Sequence, residues 1–257
     1  MAQMSPVRLG SLALACWMGW TVLAGCGSLA SLAQTSPIPP DLENQVLQII
    51  RDNPQVILES LQDYQRNQQV RQQQTQQKLL DQMRLDPDTF IGDSPTLGSD
   101  DRRIILVEFS DYQCPFCAQA HGVLEAFMAK NGDRVTFVYK HFPLTQIHPE
   151  ALPAATAAWA AQQQGKYWEF HEALFAQQGR LGEVRYGEIA TELGLDLERF
   201  NRDRTSAEAL SAINRDRALG EQLGLRGTPT LFLNGQPVEL PLTVASLEAQ
   251  VAALSKP

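Results

Sequence analysis

The sequence predicts a mixed α/β fold, and three observations lead to that prediction. A strongly apolar run, Arg103–Phe109, is followed by a segment with helical spacing and then by a second β-rich run, Arg134–Lys140. The stretch from Pro149 to about Gly220 is helical throughout. The chain then returns to short β-rich runs and a last helix, so the predicted order is β-α-β, a helical block, and β-β-α.

The length and composition fit one good-sized domain with additional segments. The chain has 257 residues and a formal net charge of −8. This charge argues against nucleic acid as a partner, because a nucleic-acid-binding protein needs a basic face. The four cysteines are too few for a disulfide-stapled scaffold, and two of them, Cys114 and Cys117, form a CxxC pair.

The first 25 residues predict export. Arg8 is followed by the uncharged apolar run Leu9–Gly25, which is typical of a secretory signal rather than of a spanning helix. The run ends in Leu23-Ala24-Gly25-Cys26, which resembles the lipobox of bacterial lipoproteins. The resemblance implies that residues 1–25 are a signal peptide and that the Cys26 thiol carries the lipid anchor.

Two alternatives to lipidation stay open. Cleavage after Ala33 would give a soluble exported protein, and an uncleaved segment would anchor the chain by itself. In all three cases the rest of the chain faces away from the cytosol, on the periplasmic or extracytoplasmic side, where disulfides persist.

A tether and a helical extension precede the main domain. Residues 26–40 are small and polar and end in proline, which predicts a tether. Residues 41–85 are predicted to be helical, with Asp41 as N-cap and a restart of the helix at Asn53-Pro54.

The helical extension has an apolar stripe that must be covered. The stripe includes Leu42, Val46 and Ile49, and either self-association or packing on the chain's own domain would bury it. The glutamine-rich stretch after Tyr64 is too polar for a core helix, which favours self-association. We therefore expect a homo-oligomer formed through residues 41–83, although the heptad pattern is poor.

The main domain is predicted from residue 86 to residue 257. Residues 86–101 are rich in proline, glycine and aspartate, which is typical of a linker. A buried strand, a helix over 115–130 and a second strand follow, and the helical insertion extends over about 149–222. A strand at Thr230–Leu233, a hairpin turn at Asn234-Gly235, a short return strand over 237–240 and a helix from Leu242 to Leu254 complete the domain.

The CxxC pair lies where a strand meets a helix. Pro115 suits the first helical position, so Cys114 is placed at the helix start, where free backbone N–H groups and the helix dipole stabilise a thiolate. Cys117 lies one turn further on. Cys114 is therefore predicted to be the attacking thiol and Cys117 the resolving thiol of a mixed-disulfide mechanism.

Two other interpretations of the pair remain. A structural metal site would need further ligands, and the sequence holds no second CxxC, while His121 is the one nearby histidine. A structural disulfide is the second interpretation. The four histidines are interpreted as surface or packing residues rather than ligands: His121, His141, His148 and His171.

The stretch Val107–Cys117, VEFSDYQCPFC, resembles the active-site region of DsbA-like thiol–disulfide oxidoreductases in the thioredoxin superfamily. A second match is Arg226–Thr230, RGTPT, which resembles the family's cis-proline loop. The resemblance covers about residue 93 to the C-terminus and implies a thioredoxin-like fold with a helical insertion. The extension over 41–83 is more weakly similar to segments that some relatives use to oligomerise.

The resemblance also implies residue roles. Cys114 and Cys117 match the redox pair, and Pro229 matches the cis-proline, with Thr228 offering backbone atoms to an extended substrate. Glu108 matches the buried acid that assists proton transfer at the resolving cysteine, and its apolar neighbours make burial and a raised pKa expected. The alternative for Glu108 is a charge at a strand edge.

One position departs from the pattern. DsbA itself has histidine where this chain has Phe116, and phenylalanine offers no charge to a thiolate, so the oxidising power is expected to be lower. We expect Phe116, together with Tyr112 and Phe142, to provide an apolar substrate surface.

The expected function is disulfide formation in exported proteins, without a cofactor and with a membrane redox partner that recycles the protein. Isomerase or reductase activity is the first alternative. A non-catalytic chaperone or scaffold with a structural disulfide is the second.

Overall fold

The computed structural model describes residues 39–254 of the chain. The predicted signal peptide, Cys26 and nearly all of the predicted tether lie outside the described residues. Within residues 39–254, no helix combines the length and the apolar character that crossing a bilayer requires.

The helices agree with the predicted order. The α-helices among the described residues are α1 Pro40–Asp52, α2 Pro54–Leu85, α3 Pro87–Ile91, α4 Pro115–Asn131, α5 Ala151–Gln162, α6 Tyr167–Ala176, α7 Glu183–Glu192, α8 Leu197–Arg204, α9 Ala207–Gln222 and α10 Val244–Leu254. A short 3₁₀ helix over Gln178–Arg180 follows α6. Helices α5 to α9 form the predicted helical insertion.

The strands form one mixed sheet in the order β1-β3-β2-β4-β5. Their bounds are β1 Thr96–Gly98, β2 Ile105–Ser110, β3 Thr136–His141, β4 Thr230–Leu233 and β5 Gln236–Pro237. Strand β2 is parallel to β3 and antiparallel to β4. The unit β2-α4-β3 is therefore a βαβ crossover, and β4 arrives from the insertion to pair on the other side of β2.

The sheet is covered on both faces, which explains the continuous apolar run of β2. Leu106 faces the larger core, which includes residues from α4, the insertion and α10. Ile105, Val107 and Phe109 face a second core with Met83. All six residues of β2 are buried, as expected for a central strand with both faces packed.

Two elements lie in the stretch that the sequence predicts to be a linker. Helix α3 buries Phe90 and Ile91, and β1 pairs antiparallel with β3. The linker prediction over residues 86–101 is therefore wrong for these two segments. The return strand is shorter than predicted, since β5 holds only Gln236 and Pro237.

The described residues fall into two compact units, one ending at Ile57 and the other beginning at Leu58. Helix α1 begins one residue before the predicted N-cap, with Pro39 as the capping position, so Asp41 lies inside the helix. The restart at Asn53-Pro54 is confirmed, because α1 ends at Asp52 and α2 begins at Pro54.

The C-terminal end of α2 packs on its own domain. Met83 is fully buried in the second core, with Leu79 and Leu80 packed beside it. The Gln76 side chain donates a hydrogen bond of 2.9 Å to the carbonyl of Leu223. This end of the extension therefore follows the alternative of packing on the chain's own domain, whereas Leu61 and Tyr64 are exposed.

Candidate redox site

The CxxC pair lies at the predicted junction between strand and helix. Strand β2 ends at Ser110, a turn follows, and Cys114 is the N-cap of α4. The Cys114 carbonyl accepts hydrogen bonds from the backbone N–H groups of Cys117, at 3.1 Å, and Ala118, at 3.2 Å. Cys117 is fully buried, and Cys114 is 4% exposed, so the outer cysteine is the one that a partner can reach.

The sheet brings a distant loop to Cys114. Strand β4 begins at Thr230, opposite Phe109 near the end of β2, so the loop before β4 and the turn after β2 meet at one edge of the sheet. The Cys114 Sγ donates to the Thr228 carbonyl over 3.4 Å. The Thr228–Pro229 peptide bond is cis. The two sequence motifs that carried the family resemblance therefore form one site.

Glu108 is a buried acid next to the inner cysteine. It is 2% exposed, and its Oε1 atom has no hydrogen-bond partner among the described residues. Burial raises the pKa of Glu108 to about 7, and the side chains of Ser110 and His121 oppose this shift without cancelling it. The alternative of an exposed charge at a strand edge is excluded.

Burial also raises the pKa of the Cys117 thiol far above its ordinary value, and the negative charge of Glu108 adds to the shift. Cys117 therefore holds its proton strongly. A protonated acid with a pKa near neutrality is the group best able to supply that proton when the Cys117 sulfur is released from a disulfide.

The aromatic side chains near the site have different environments. Phe116 is 65% exposed on the first turn of α4, so it is available to a partner. Tyr112 and Phe142 are buried, and the expectation that they form a substrate surface is wrong. Their rings fill the core: Tyr112 stacks on Tyr139 with 5.4 Å between ring centroids, and Phe142 packs edge-on against Phe109.

Gln178 holds the turn over residues 111–114, the redox turn, which carries Cys114. The sequence alone did not predict this role. Its Nε2 donates to the Tyr112 carbonyl at 2.9 Å and to the Cys114 carbonyl at 2.8 Å. The residue lies in the 3₁₀ helix after α6. The helical insertion thus fixes the backbone on which the outer cysteine sits.

A buried aspartate makes a second connection to the turn. The Asp111 carboxylate accepts from the Leu144 backbone N–H at 2.9 Å and contacts the Nδ1 atom of His148 at 2.7 Å. The Gln113 Oε1 accepts from the Glu150 backbone N–H at 2.7 Å. Both connections run to the segment between β3 and α5, so residues 111–114 are held from two sides.

His141 and His171 are buried, so neither has the surface position that was one of the two expectations for the histidines. Burial lowers the pKa of His141 to about 4 and that of His171 well below its ordinary value. His121 is half-buried and pairs with Glu172 at 2.9 Å. Among the described residues, His121, His171 and Glu172 are grouped closely enough to share a metal ion, and neither cysteine belongs to that group.

Comparison with known proteins supports an assignment to a family. The thioredoxin family model matches residues 91–253. A solved thioredoxin-like oxidoreductase from Silicibacter pomeroyi DSS-3 is 33% identical, with a TM-score of 0.59, and the match covers 65% of this chain and 95% of that one. The predicted thioredoxin-like fold is confirmed.

Two further solved structures share the fold at lower identity. The thiol-disulfide exchange protein alpha-DsbA2 from Wolbachia pipientis is 24% identical, with a TM-score of 0.61, over 72% of this chain and 98% of that one. ScsC from Proteus mirabilis, solved in a transitional conformation, is 20% identical, with a TM-score of 0.58, over 85% of this chain and 97% of that one. At these identities the two neighbours show that the fold is shared.

The curated relatives are longer proteins. One named Na(+)/H(+) antiporter NhaA 1, from Mycolicibacterium vanbaalenii PYR-1, is 39% identical over 152 residues, which is 58% of this chain and 25% of that protein. The chain thus spans about a quarter of the length of the curated relatives it matches.

Proposed function

Because the chain belongs to the thioredoxin family, we propose that it is an exported DsbA-like thiol–disulfide oxidoreductase that forms disulfides in other exported proteins. The observation that carries the proposal is the arrangement of Cys114 at the start of α4, against the Thr228 carbonyl, with the buried pair of Cys117 and Glu108 behind it. Thioredoxin-fold relatives support thiol–disulfide oxidoreductase activity, and the oxidative direction is our proposal.

The reaction begins with the Cys114–Cys117 disulfide. A substrate thiolate attacks the Cys114 sulfur, the bond between the two cysteines breaks, and its electron pair leaves on the Cys117 sulfur. Protonated Glu108 gives its proton to that sulfur. A second substrate thiolate then attacks the substrate sulfur of the mixed disulfide and releases Cys114 as a thiolate. The substrate loses two electrons and the CxxC pair gains them.

The position of Cys114 at the N-cap of α4 suits its sulfur to be the leaving group of the second step. The free backbone N–H groups at the start of α4 favour negative charge on a side chain at the N-cap. Cys117 lies inside the helix in an apolar environment and favours the thiol. The two sulfurs therefore suit different steps. The Cys117 sulfur leaves in the first step and takes a proton, and the Cys114 sulfur leaves in the second step as a thiolate.

We propose that Phe116 and the Thr228-Pro229 loop contact the substrate. Phe116 supplies an exposed apolar ring, and the Thr228 carbonyl supplies a backbone acceptor beside the reacting sulfur. Phe116→Ser should lower the rate constant for oxidation of an unfolded protein while leaving the rate with glutathione unchanged. Equal rates of protein oxidation in both proteins would remove Phe116 from the substrate surface.

The direction of electron flow has a direct test. The reduction potential of the Cys114–Cys117 couple, measured by equilibration with glutathione, is expected on the oxidising side of the family's range, between the value of about −120 mV for DsbA and about −180 mV. A value near about −270 mV favours a reductase. Refolding of a substrate with scrambled disulfides then separates isomerase from oxidase activity.

A non-catalytic scaffold with a structural disulfide is the alternative from another class. A structural couple has a potential below about −300 mV and resists reduction by glutathione. Under the proposed function, Cys114→Ser abolishes oxidation of a reduced substrate, and Cys117→Ser traps the substrate as a mixed disulfide. Absence of any trapped adduct in the Cys117→Ser variant would favour the scaffold.

We propose lipidation at Cys26 and recycling by a membrane redox partner. The support is the lipobox-like Leu23–Cys26 stretch after a short apolar run. In an exporting bacterium, metabolic labelling with a fatty acid should mark the parent chain and not the Cys26→Ser variant. Labelling of both proteins, or of neither, contradicts a lipid on this cysteine.

We also propose self-association through residues 41–83. The support is a set of apolar side chains of α1 and α2 that are 40% or more exposed, including Leu42, Ile49, Leu58, Leu61 and Tyr64. Contact with a second copy would bury them. Sedimentation of the full-length chain in detergent at micromolar concentration should show an oligomer that Leu61→Glu weakens and the control Gln65→Glu leaves intact. A monomeric parent chain contradicts the proposal.

A further inference from the structure

A cluster of metal-ligating side chains lies outside the redox site. One ligand atom from each of His121, His171 and Glu172 lies within 4.8 Å of the other two. His121 belongs to α4, one helical turn beyond Cys117, and the other two belong to α6. The fold therefore brings together residues that are 50 positions apart in the chain, at the contact between the active-site helix and the helical insertion.

The geometry fits a small tetrahedral ion. Zinc bonds imidazole nitrogen and carboxylate oxygen at roughly 2.0–2.2 Å, which places tetrahedral ligand atoms about 3.4 Å apart. The His121 Nε2 lies 2.9 Å from a Glu172 carboxylate oxygen, and the group as a whole extends to 4.8 Å. Small side-chain shifts would bring all three ligand atoms to the required spacing.

His171 is held in the orientation that a ligand needs. It is 2% exposed, and its Nδ1 atom is hydrogen-bonded to the Tyr112 hydroxyl at 3.0 Å. Nε2 is then the ring nitrogen left for a metal. A polar partner on the opposite ring nitrogen is the usual outer contact of a metal-bound histidine, because it fixes the ring and its tautomer.

A cavity gives access to the cluster. It has a volume of about 320 Å³ and is lined by His121, His171 and Glu172 together with Glu125. Glu125 lies one helical turn after His121, so a second carboxylate faces the same space. The cavity can therefore admit an ion and hold a water molecule, or the Glu125 carboxylate, at a fourth position.

We propose that His121, His171 and Glu172 form a binding site for a divalent transition metal of the zinc class, with one coordination position open to the adjoining cavity. Two imidazoles and one carboxylate are a ligand set that zinc accepts, and three protein ligands leave room for exchange. The bound ion would link α4 to α6. It would also contact the redox turn indirectly, since His171 is bonded to Tyr112, two residues before Cys114.

The test measures Co²⁺ and Zn²⁺ binding to the full-length chain in detergent, without a histidine tag and with the Cys114–Cys117 pair oxidised, so that thiolates cannot contribute. We expect one equivalent of Co²⁺ with visible d–d absorption and no thiolate-to-metal band, and displacement by Zn²⁺. Zn²⁺ should also raise the thermal unfolding midpoint, because a ligand of the folded state stabilises it.

The variants separate a metal site from a simple ion pair. Glu172→Gln and His121→Asn should each weaken Zn²⁺ binding at least 10-fold, whereas Glu169→Gln on the same helix should leave it unchanged. Glu172 is 48% exposed on its side chain, so its substitution spares the core even if His121→Asn unfolds the protein. Binding of Co²⁺ only after the cysteines are reduced, or equal affinity in the parent chain and Glu172→Gln, overturns the proposal.

Discussion

At the scale of single residues, Glu108 makes the stability of the protein depend on pH. Its pKa is raised from an ordinary 4.5 to about 7. Below pH 4.5 the Glu108 carboxyl is protonated in both the folded and the unfolded protein. Between the two pKa values the unfolded protein loses this proton and the folded protein keeps it. The free energy of unfolding therefore falls as the pH rises through this window, by about 3 kcal/mol, because each pKa unit corresponds to about 1.4 kcal/mol.

Urea unfolding of the oxidised protein at about pH 4.5 and pH 8 measures this effect, with Glu108→Gln and the exposed Glu239→Gln for comparison. The free energy of unfolding of Glu108→Gln should not fall between the two pH values. That of Glu239→Gln should fall as it does in the parent chain. The buried His141 and His171 act in the opposite sense, since their lowered pKa values cost stability in acid, but they are common to all three proteins. An identical pH dependence in the parent chain and Glu108→Gln contradicts the assignment.

A second single residue, Gln178, should matter for both stability and rate. Gln178→Met keeps the shape of the side chain and removes the donor to the Tyr112 and Cys114 carbonyls. Loss of the two bonds should cost about 1–3 kcal/mol of unfolding free energy. The rate of thiol exchange at Cys114 should fall, because the turn that carries the sulfur is no longer held.

Chemical denaturation and stopped-flow exchange with a reduced peptide measure the two effects, and Gln177→Met is the matched control. A Gln178→Met protein with the stability and exchange rate of the parent chain would show that the turn is held by other contacts. The connections through Asp111 and Gln113 would then suffice.

At the scale of the elements, helix α2 combines two environments. Its C-terminal end is anchored by Met83, which is fully buried, whereas Leu85 two residues later is 70% exposed. Met83→Ala should lower the unfolding free energy by about 2–4 kcal/mol, because it removes buried volume from the second core. Leu85→Ala should change it by less than about 0.5 kcal/mol.

Thermal and urea unfolding of the two variants, followed by circular dichroism, provide the measurement. Equal effects of the two substitutions would show that α2 is not packed on the sheet. In that case the whole helix would be available for contact with other copies.

The elements that sequence reasoning missed are short and depend on partners. Helix α3 has five residues and β1 has three, too few for a hydrophobic period to appear, and β1 exists because it pairs with β3. The strands and helices around the CxxC could be predicted, because β2 carries a long apolar run and Pro115 marks the helix start. The patterns that predict β2 and α4 lie within a few neighbouring residues. The pairing that forms β1 depends on a strand about 40 residues away.

The same difference separates the predicted from the unpredicted site residues. The placement of Cys114 follows from its neighbours in the chain, and that of Pro229 from a short motif. Gln178 and the His121–His171 contact follow from how the insertion lies on the βαβ unit, which no local pattern encodes. The prediction for Tyr112 was wrong because the sequence around it is the same whether its ring points into the core or towards a substrate. The local sequence therefore does not determine the direction of the ring.

At the scale of the whole molecule, a buried ion pair connects the insertion to the sheet. Lys140 of β3 lies 3.2 Å from Asp216 of α9, and both side chains are nearly buried. Asp216 also accepts from the His141 backbone N–H at 3.0 Å. Asp216→Ala should cost about 3–5 kcal/mol, because it leaves the Lys140 ammonium buried without its partner.

The double variant Lys140→Met, Asp216→Ala removes both charges and should recover part of the loss. Urea unfolding of the parent chain, the single variants Lys140→Met and Asp216→Ala, and this double variant gives the coupling energy. Additive effects of the single substitutions would contradict a direct pair. Such a result would assign the connection to the backbone contact at His141 instead.

The sheet order has a consequence for the order of synthesis. The redox pair leaves the ribosome more than 100 residues before the Thr228-Pro229 loop that faces it, because β2 and β4 are neighbours in the sheet and distant in the chain. A nascent chain therefore carries both cysteines before the loop that lies against Cys114 has been made. Under the proposed function, the site is complete only when β4 has paired with β2, so oxidoreductase activity would mark the completion of folding.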